Sequence, residues 1–408
     1  MTKAYDFDVI IVGGGMVGAS LACALATLPL KIAIIEAFPF RSDNQPSYDA
    51  RSIALAYGSK RIFDTLGIWQ NLETNATPIE HIHISNKGQF GVTRLSAKEE
   101  SLNALGYVIE NRVLGNALLK KIEHYSNIEL ICPAKLAALK IHTDVATLRL
   151  EKGEDTRQLT CKLVVGADGG NSKVREILGI KAKTKDYQQT AIISNVSPGK
   201  AHHNIAYERF TKQGPIAILP MTENRCSLVL TVEKSQQEKV LSLDDARFLA
   251  YLEQRFGFRC GGFTKTSKRH AYPLSLMQIS EHFKSRAVII GNAAHTVHPI
   301  AGQGFNLGIR DVSVLADVIE NACQQASDIG DSCVLKEYAA QRSTDQKTVA
   351  FITNSLAEIF SNDLFPLAQS RAKGLLITDL LPPLKHLVAK NAMGLSGKLP
   401  RLSRGVAL

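Results

Sequence analysis

The 408 residues hold a single tryptophan, Trp69, and seven cysteines that form no C-x-x-C pair. Cys23, Cys132, Cys161, Cys226, Cys260, Cys323 and Cys333 are scattered and odd in number. A disulfide framework is therefore not expected, and reduced thiols in a cytosolic setting are the simpler reading. No low-complexity tract or repeating period occurs, which argues against fibrous and solenoid architectures. A convincing membrane span is also missing. The one long uncharged run, Val9 to Leu30, is broken by Gly13, Gly14 and Gly15 and follows Asp6 and Asp8, where a signal peptide would carry positive charge. A strand, turn and helix account for it better.

Acidic residues are scarce at the C-terminal end. Of the formal net charge of +10, much comes from Arg371 to Leu408, where seven basic residues face one acid, Asp379. A basic end suits anionic lipid, an acidic partner or plain solvation. Nucleic acid is disfavoured, because no binding motif accompanies the charge. A chain of this length implies two packed domains.

Short apolar runs place the elements. Asp8–Val12 reads as a buried strand, about Met16 to Thr27 as a small-residue helix, and Lys31–Glu36 as a second strand, giving a parallel βαβ unit. Ile79 to Leu95 alternates like paired strands, and a helical pattern follows Arg112. Extended runs between Thr190 and Thr231 predict an antiparallel sheet, and Ala287–Gly291 returns to the buried-strand pattern before a long helix. The expected fold is α/β: a discontinuous Rossmann-like domain (1–75, 98–180 and 285–345) with an inserted antiparallel β-sheet substrate domain (76–97 and 181–284). Residues 346–408 form a helical, basic C-terminal region.

Three motifs carry chemistry. Gly13-x-Gly15-x-x-Gly18 lies between the first strand and the first helix, with Glu36 ending the second strand. The glycines permit a tight turn, close approach of a pyrophosphate to bare backbone, and tight helix–strand packing. Glu36 is then placed to accept from ribose hydroxyls, so the pattern points to a dinucleotide; the alternative is a tight structural turn. Gly166-Ala167-Asp168-Gly169-Gly170-Asn171-Ser172 puts a glycine-flanked acid between strand and helix, which alone also fits a turn capped by a serine. Gly291-Asn292-Ala293-Ala294-His295 precedes His298-Pro299-Ile300-Ala301-Gly302-Gln303-Gly304-Phe305-Asn306, whose glycines free backbone N–H groups at a helix start. His295 and His298 lack further ligands at metal-site spacing, so a structural pair or a pocket wall is expected.

These strings resemble the FAD-dependent hydroxylases of ubiquinone biosynthesis, a branch of the para-hydroxybenzoate-hydroxylase-like monooxygenases. Asp49-Ala50-Arg51-Ser52-Ile53-Ala54-Leu55, Tyr207-Glu208-Arg209-Phe210 and Gly214-Pro215-Ile216-Ala217-Ile218-Leu219-Pro220 carry the same resemblance, which runs from about residue 8 to 345. It implies FAD held by Gly13, Gly15, Gly18, Glu36, Asp168, Gly169, Asn292, Gly302, Gln303, Gly304, Phe305 and Asn306. It also places Arg51 near the isoalloxazine and Arg112 near the pyrophosphate or ribityl chain, although either arginine fits a surface or interdomain ion pair equally well. Asn292 departs from the wider class, which has an aspartate there; the amide still accepts a hydrogen bond but brings no charge.

The implied reaction is hydroxylation of a polyprenylated phenol, 2-polyprenyl-6-methoxyphenol, with O2 and NADPH. The sequence identifies no catalytic base. Hydroxylation at another ring carbon, an isoprenoid-reducing flavoenzyme and a non-catalytic FAD scaffold remain alternatives. A flavin halogenase is disfavoured, since its W-x-W motif cannot be built from Trp69 alone. The expected location is cytoplasmic. The apolar and basic tail (Gly374–Leu381, then Leu384, Leu387 and Val388 with Lys385 and Lys390) either meets the inner face of the membrane or a ubiquinone-biosynthesis enzyme complex, or docks on its own core.

Overall fold

A computed structural model describes residues 5–40, 51–361 and 365–408; Asp49 and Ala50 of the arginine-bearing block lie outside them. The strand Phe7–Val12 is a nearly fully buried β-branched run, as strands covered on both faces are. It pairs in parallel with Asp155–Gly166 on one side and Ile32–Ile35 on the other. Ile128–Ile131 and Ala287–Ile289 extend this parallel core outward. One face packs on the helices Met16–Leu25, Asn111–Glu123 and Gln303–Gln324, through Leu21, Leu118, Val312 and Leu315. The other packs on the antiparallel strands Lys135–Ile141 and Ala146–Lys152. The glycine turn thus sits where the parallel strands end and two helices begin.

A nine-stranded sheet forms the second layer. Its centre is the long strand Ala182–Pro198, paired antiparallel with Arg225–Glu233 and His270–Ile279. Ile216–Met221 and Ile205–Phe210 follow, and the latter runs parallel to His81–Asn86, a pairing between distant segments. One face is sealed by the helix Asp245–Phe256 through Phe248, Leu252 and Phe256. The opposite face looks toward the glycine motifs. Thr77–Ile79 instead joins Ser52–Ala56 and Gly106–Glu110 in a small sheet between the layers.

The helices Ser332–Ser361, Phe365–Leu380 and Pro382–Ala392 complete the described chain. They dock on the body: Ala389 and Met393 pack with Leu95, Ala97 and Leu105, and Arg94 pairs with Asp379 at 2.6 Å. Yet Ile377, Leu380, Leu381 and Leu387 stay exposed. Among the described residues, no helix is long and apolar enough to cross a membrane.

Candidate active site

The two layers enclose a cavity of about 1690 Å³. That exceeds the ~300–1,000 Å³ of a pocket for one ligand, so a dinucleotide and a second molecule fit together. Of the fourteen residues predicted for the cofactor, twelve line it: Gly13, Gly15, Glu36, Arg51, Asp168 and Gly169 from the N-terminal half, and Asn292, Gly302, Gln303, Gly304, Phe305 and Asn306 from the C-terminal half. Gly18 lies behind the turn. A Cβ there would meet the Gly13 carbonyl oxygen at 2.0 Å, so its hydrogen sets helix–strand packing. Arg112 is not brought into the cavity. Its side chain is 60% exposed and pairs with Glu110 at 3.2 Å, while its neighbour Asn111 is buried in the wall.

The glycine turn is geometrically constrained. Gly13 has φ +108°, and a Cβ would come within 2.4 Å of the Ala167 carbonyl oxygen. Glu36 is held against it, accepting from the Gly14 and Phe38 N–H groups at 2.8 and 2.9 Å. A carboxylate has lone pairs to spare, so ribose hydroxyls can still donate to it.

Two helix N-termini converge on the cavity. Neither Gly15, preceding Met16–Leu25, nor Gly302, preceding Gln303–Gln324, supplies a side-chain cap. The first-turn N–H groups are therefore free for an anionic ligand. Asp168 accepts from the Lys173 and Val174 N–H groups through Oδ2, while its buried Oδ1 has no protein partner, nor has Asn111 Oδ1. A buried acceptor left unmet costs ~1–3 kcal/mol, which ligand hydroxyls would relieve. Glycine turn, paired N-termini and unmet acceptors fit an FAD extended through the cavity.

Cross-braces fix the motifs to one another. Arg175 donates to the carbonyls of Gly170 and Ala293 at 2.8 Å each, tying the aspartate turn to the Asn292 turn. Ser172 caps the helix behind it, so the structural reading of that motif holds alongside the functional one. Asn306 spends its side-chain amide on Ala54, Ala56 and Gly302, which makes it a brace for the flavin-facing loop. Asp311 is fully buried and accepts from His295, Arg342, Gln346 and the Gly291 N–H. Burial alone would raise its pKa; His295 and Arg342 overcome that and hold it well below the usual carboxylate range. His298 sits edge-on to Tyr187, and burial lowers its pKa to about 4. Sequence reading assigned no role to Arg175, Asp311 or Asn111, although Arg175 and Asp311 lie a few residues past the quoted motifs and Asn111 lies beside Arg112.

Beyond the glycine motifs the wall turns apolar. Ile82, Ile84, Ala206, Ala217 and Leu219 come from the nine-stranded sheet, and Leu356, Phe360, Leu375 and Val388 from the C-terminal helices. Arg51 lies over the Tyr272 ring, 4.7 Å from its centroid, at the edge of this region.

The fold and sequence have close counterparts. The FAD-binding-domain family model matches residues 6–350. Ubiquinone hydroxylase UbiL of Rhodospirillum rubrum is 38% identical over 98% of this chain and 93% of its own. The 3-demethoxyubiquinol 3-hydroxylase of Escherichia coli is 34% identical over 95% and 98%. In fold, the p-nitrophenol 4-monooxygenase PnpA of Pseudomonas putida superposes with a TM-score of 0.79 at 16% identity, covering 96% of this chain and 98% of its own. PqsL of P. aeruginosa gives 0.77 at 22% identity, covering 91% and 100%. The chain belongs to the FAD-dependent monooxygenases, in their branch of ubiquinone-biosynthesis hydroxylases.

Proposed function

We propose that this protein hydroxylates the ring of a polyprenylated phenol, 2-polyprenyl-6-methoxyphenol, with O2 and NADPH. The observation that carries this reading is the continuity of one cavity, from the glycine motifs past the nine-stranded sheet to apolar C-terminal helices. A polar cofactor end and an apolar far wall suit a flavin and a prenylated phenol. FAD, when bound and reduced, supplies the chemistry that passes one atom of O2 to an activated ring. The chain's own part is to hold the pyrophosphate on the Gly13–Met16 turn and direct N–H groups of Gly304 and Phe305 toward the flavin edge. Its aliphatic wall keeps water from the reacting centre.

A second reading concerns the ring carbon. The E. coli relative is named for hydroxylation at position 3 of a demethoxyubiquinol, and it spans nearly the same length. The partner reading is a ubiquinone-biosynthesis enzyme complex, with a peripheral contact at the inner face of the membrane through the exposed leucines of the tail.

The test is anaerobic reduction of the yellow protein by NADPH, then admission of O2 with 2-polyprenyl-6-methoxyphenol present. Flavin reoxidation coupled to a product heavier by one oxygen is expected, and the site of the new hydroxyl separates the two ring positions. Reoxidation that gives only peroxide, with the phenol unchanged, sinks the substrate assignment.

A further inference from the structure

One carboxyl interrupts the aliphatic wall. Glu208 lies in the strand Ile205–Phe210, in register with Ile84 on one side and Ala217 on the other, and all three line the cavity. The polar group that reaches it is the Ala301 backbone N–H, from the turn that opens the helix Gln303–Gln324. Ala301 itself is held at φ +56°, left-handed and unusual for alanine. Glu208 therefore stands where the substrate sheet meets the flavin-facing loop. Burial raises its pKa from the ordinary glutamate value to about 7, with only the Ala301 hydrogen bond acting the other way. No charged side chain among the described residues contributes. A carboxyl in apolar surroundings, with its pKa near the working pH, is how proteins make a general base.

Glu36, Lys135, Asp168, Lys173 and Lys398 also line the cavity, and several of the remaining ionisable groups are engaged. From the small sheet and the strand His270–Ile279, Arg51 and Tyr272 stack on each other. From the C-terminal helices, Arg342 and Asp345 pair at 2.6 Å, and Arg310 pairs with Asp345 at 3.3 Å. On Glu208's own strand, Tyr207 turns its ring edge to Phe256. His298, on the flavin-facing loop, is buried against Tyr187.

We propose that Glu208 binds the phenolic hydroxyl of the substrate and takes up its proton before oxygen transfer. The phenol O–H bond breaks, its electron pair stays on oxygen and enriches the ring, and the proton moves to a Glu208 carboxylate oxygen. When the hydroxylated ring regains aromaticity, the carbon that took the oxygen releases its hydrogen as a proton to water. The Glu208 acid then returns its own proton to the ring oxygen. The assignment rests on the hydroxylase reading above, so its test must also work without turnover.

The experiment uses full-length, FAD-loaded wild type, Glu208→Gln and Glu208→Asp, with flavin content measured first. For the wild type, kcat/KM with the polyprenylated phenol should rise with pH through an apparent pKa near 7. In Glu208→Gln that limb should vanish and kcat at pH 8 should fall about 100-fold, the low end of general-base effects; Glu208→Asp should keep the limb at a reduced rate. A Glu208→Gln protein with full flavin, a wild-type rate and an unchanged limb would overturn the assignment.

The second readout is the ionisation of a bound 4-nitrophenol carrying a geranyl chain beside its hydroxyl, followed by its phenolate absorbance. Two coupled steps are expected in the wild type, because the pair shares a proton, and a single step in Glu208→Gln. The same single step in both proteins would overturn the proposal. This titration decides the role of Glu208 even if the natural phenol is not turned over, which would instead count against the hydroxylase reading. If Glu208→Gln fails to retain FAD, Glu208→Asp decides: a limb kept at a reduced rate with a two-step titration supports the role, and a wild-type rate with a single-step titration overturns it.

Discussion

At the scale of single residues, the site is set by what side chains leave out as much as by what they supply. Gly13 and Gly18 give way so that a turn and a helix can meet; a methyl at either would collide with backbone. Asn292 omits a charge. It lies on the turn Gly291–Ala293, exposed into the cavity, with no carboxylate where the wider class has one. Restoring that charge with Asn292→Asp places a negative group in the cofactor site and disfavours adding electrons to a bound flavin. The midpoint potential should move negative by on the order of 30 mV, equivalent to ~1.4 kcal/mol for a two-electron couple. Flavin content should stay unchanged, because the Gly13–Gly15 turn that would hold the pyrophosphate is not altered. Potentiometric titration of the two proteins checks this, and equal potentials would mean position 292 does not feel the flavin.

At the scale of elements, the cofactor unit was legible because its signals are local. Strand, glycine turn, helix and second strand follow within thirty or so residues, and a buried β-branched run beside a small-residue helix has few other solutions. The antiparallel strands from Ala191 to Thr231 were readable for the same reason. Their order was not. Parallel pairing of Ile205–Phe210 with His81–Asn86 joins segments far apart in sequence, and no turn chemistry announces it. Long-range braces were equally hidden: Asp311 and Arg342 meet from two different helices, and nothing in either helix's periodicity marks them. Arg112, assigned by resemblance, faces outward with Glu110, while the buried Asn111 beside it takes the wall position.

The Asp311 brace has a testable energy. Its folded pKa is depressed, so its stabilisation is fully present above the ordinary carboxylate value near 4 and is lost as pH falls through the folded value. Asp311→Asn keeps the shape but leaves Arg342 with Asp345 as its remaining acid. A loss of about 3 kcal/mol at pH 7 is expected, the low end for a broken buried pair. The gap between the two proteins should narrow below pH 4, where the unfolded chain's Asp311 takes up a proton that the folded carboxylate does not yet bind. Urea unfolding at pH 7 and pH 3 measures both values, and a variant within 0.5 kcal/mol at pH 7 would show the brace to be energetically idle.

At the scale of the whole molecule, the cavity and the outer surface share residues. Ile352 and Leu387 line the cavity and are also exposed; Phe351 and Leu380 lie exposed on the C-terminal helices, and Leu381 between the last two of them. These exposed apolar residues, with Lys373 and Lys390 exposed on the same stretch of chain, are what the proposed contact with an anionic bilayer would use. The docked and membrane-facing roles of the tail are compatible: Ala389 and Met393 anchor one side of it, while the leucines point away. Wild-type protein should co-sediment with vesicles containing anionic lipid, and less so at high salt, because basic residues contribute. Leu380→Glu with Leu381→Glu removes two apolar contacts, each worth ~1.5–3 kcal/mol if fully buried, and adds repulsion. Bound protein should fall at least tenfold while flavin content, set by the distant glycine motifs, is unchanged. KM for a polyprenylated phenol presented in vesicles should rise, whereas a short-chain phenol in solution should be unaffected. Wild-type protein that stays in the supernatant at low salt would assign the tail to docking alone and require the substrate to reach the cavity from a carrier in solution.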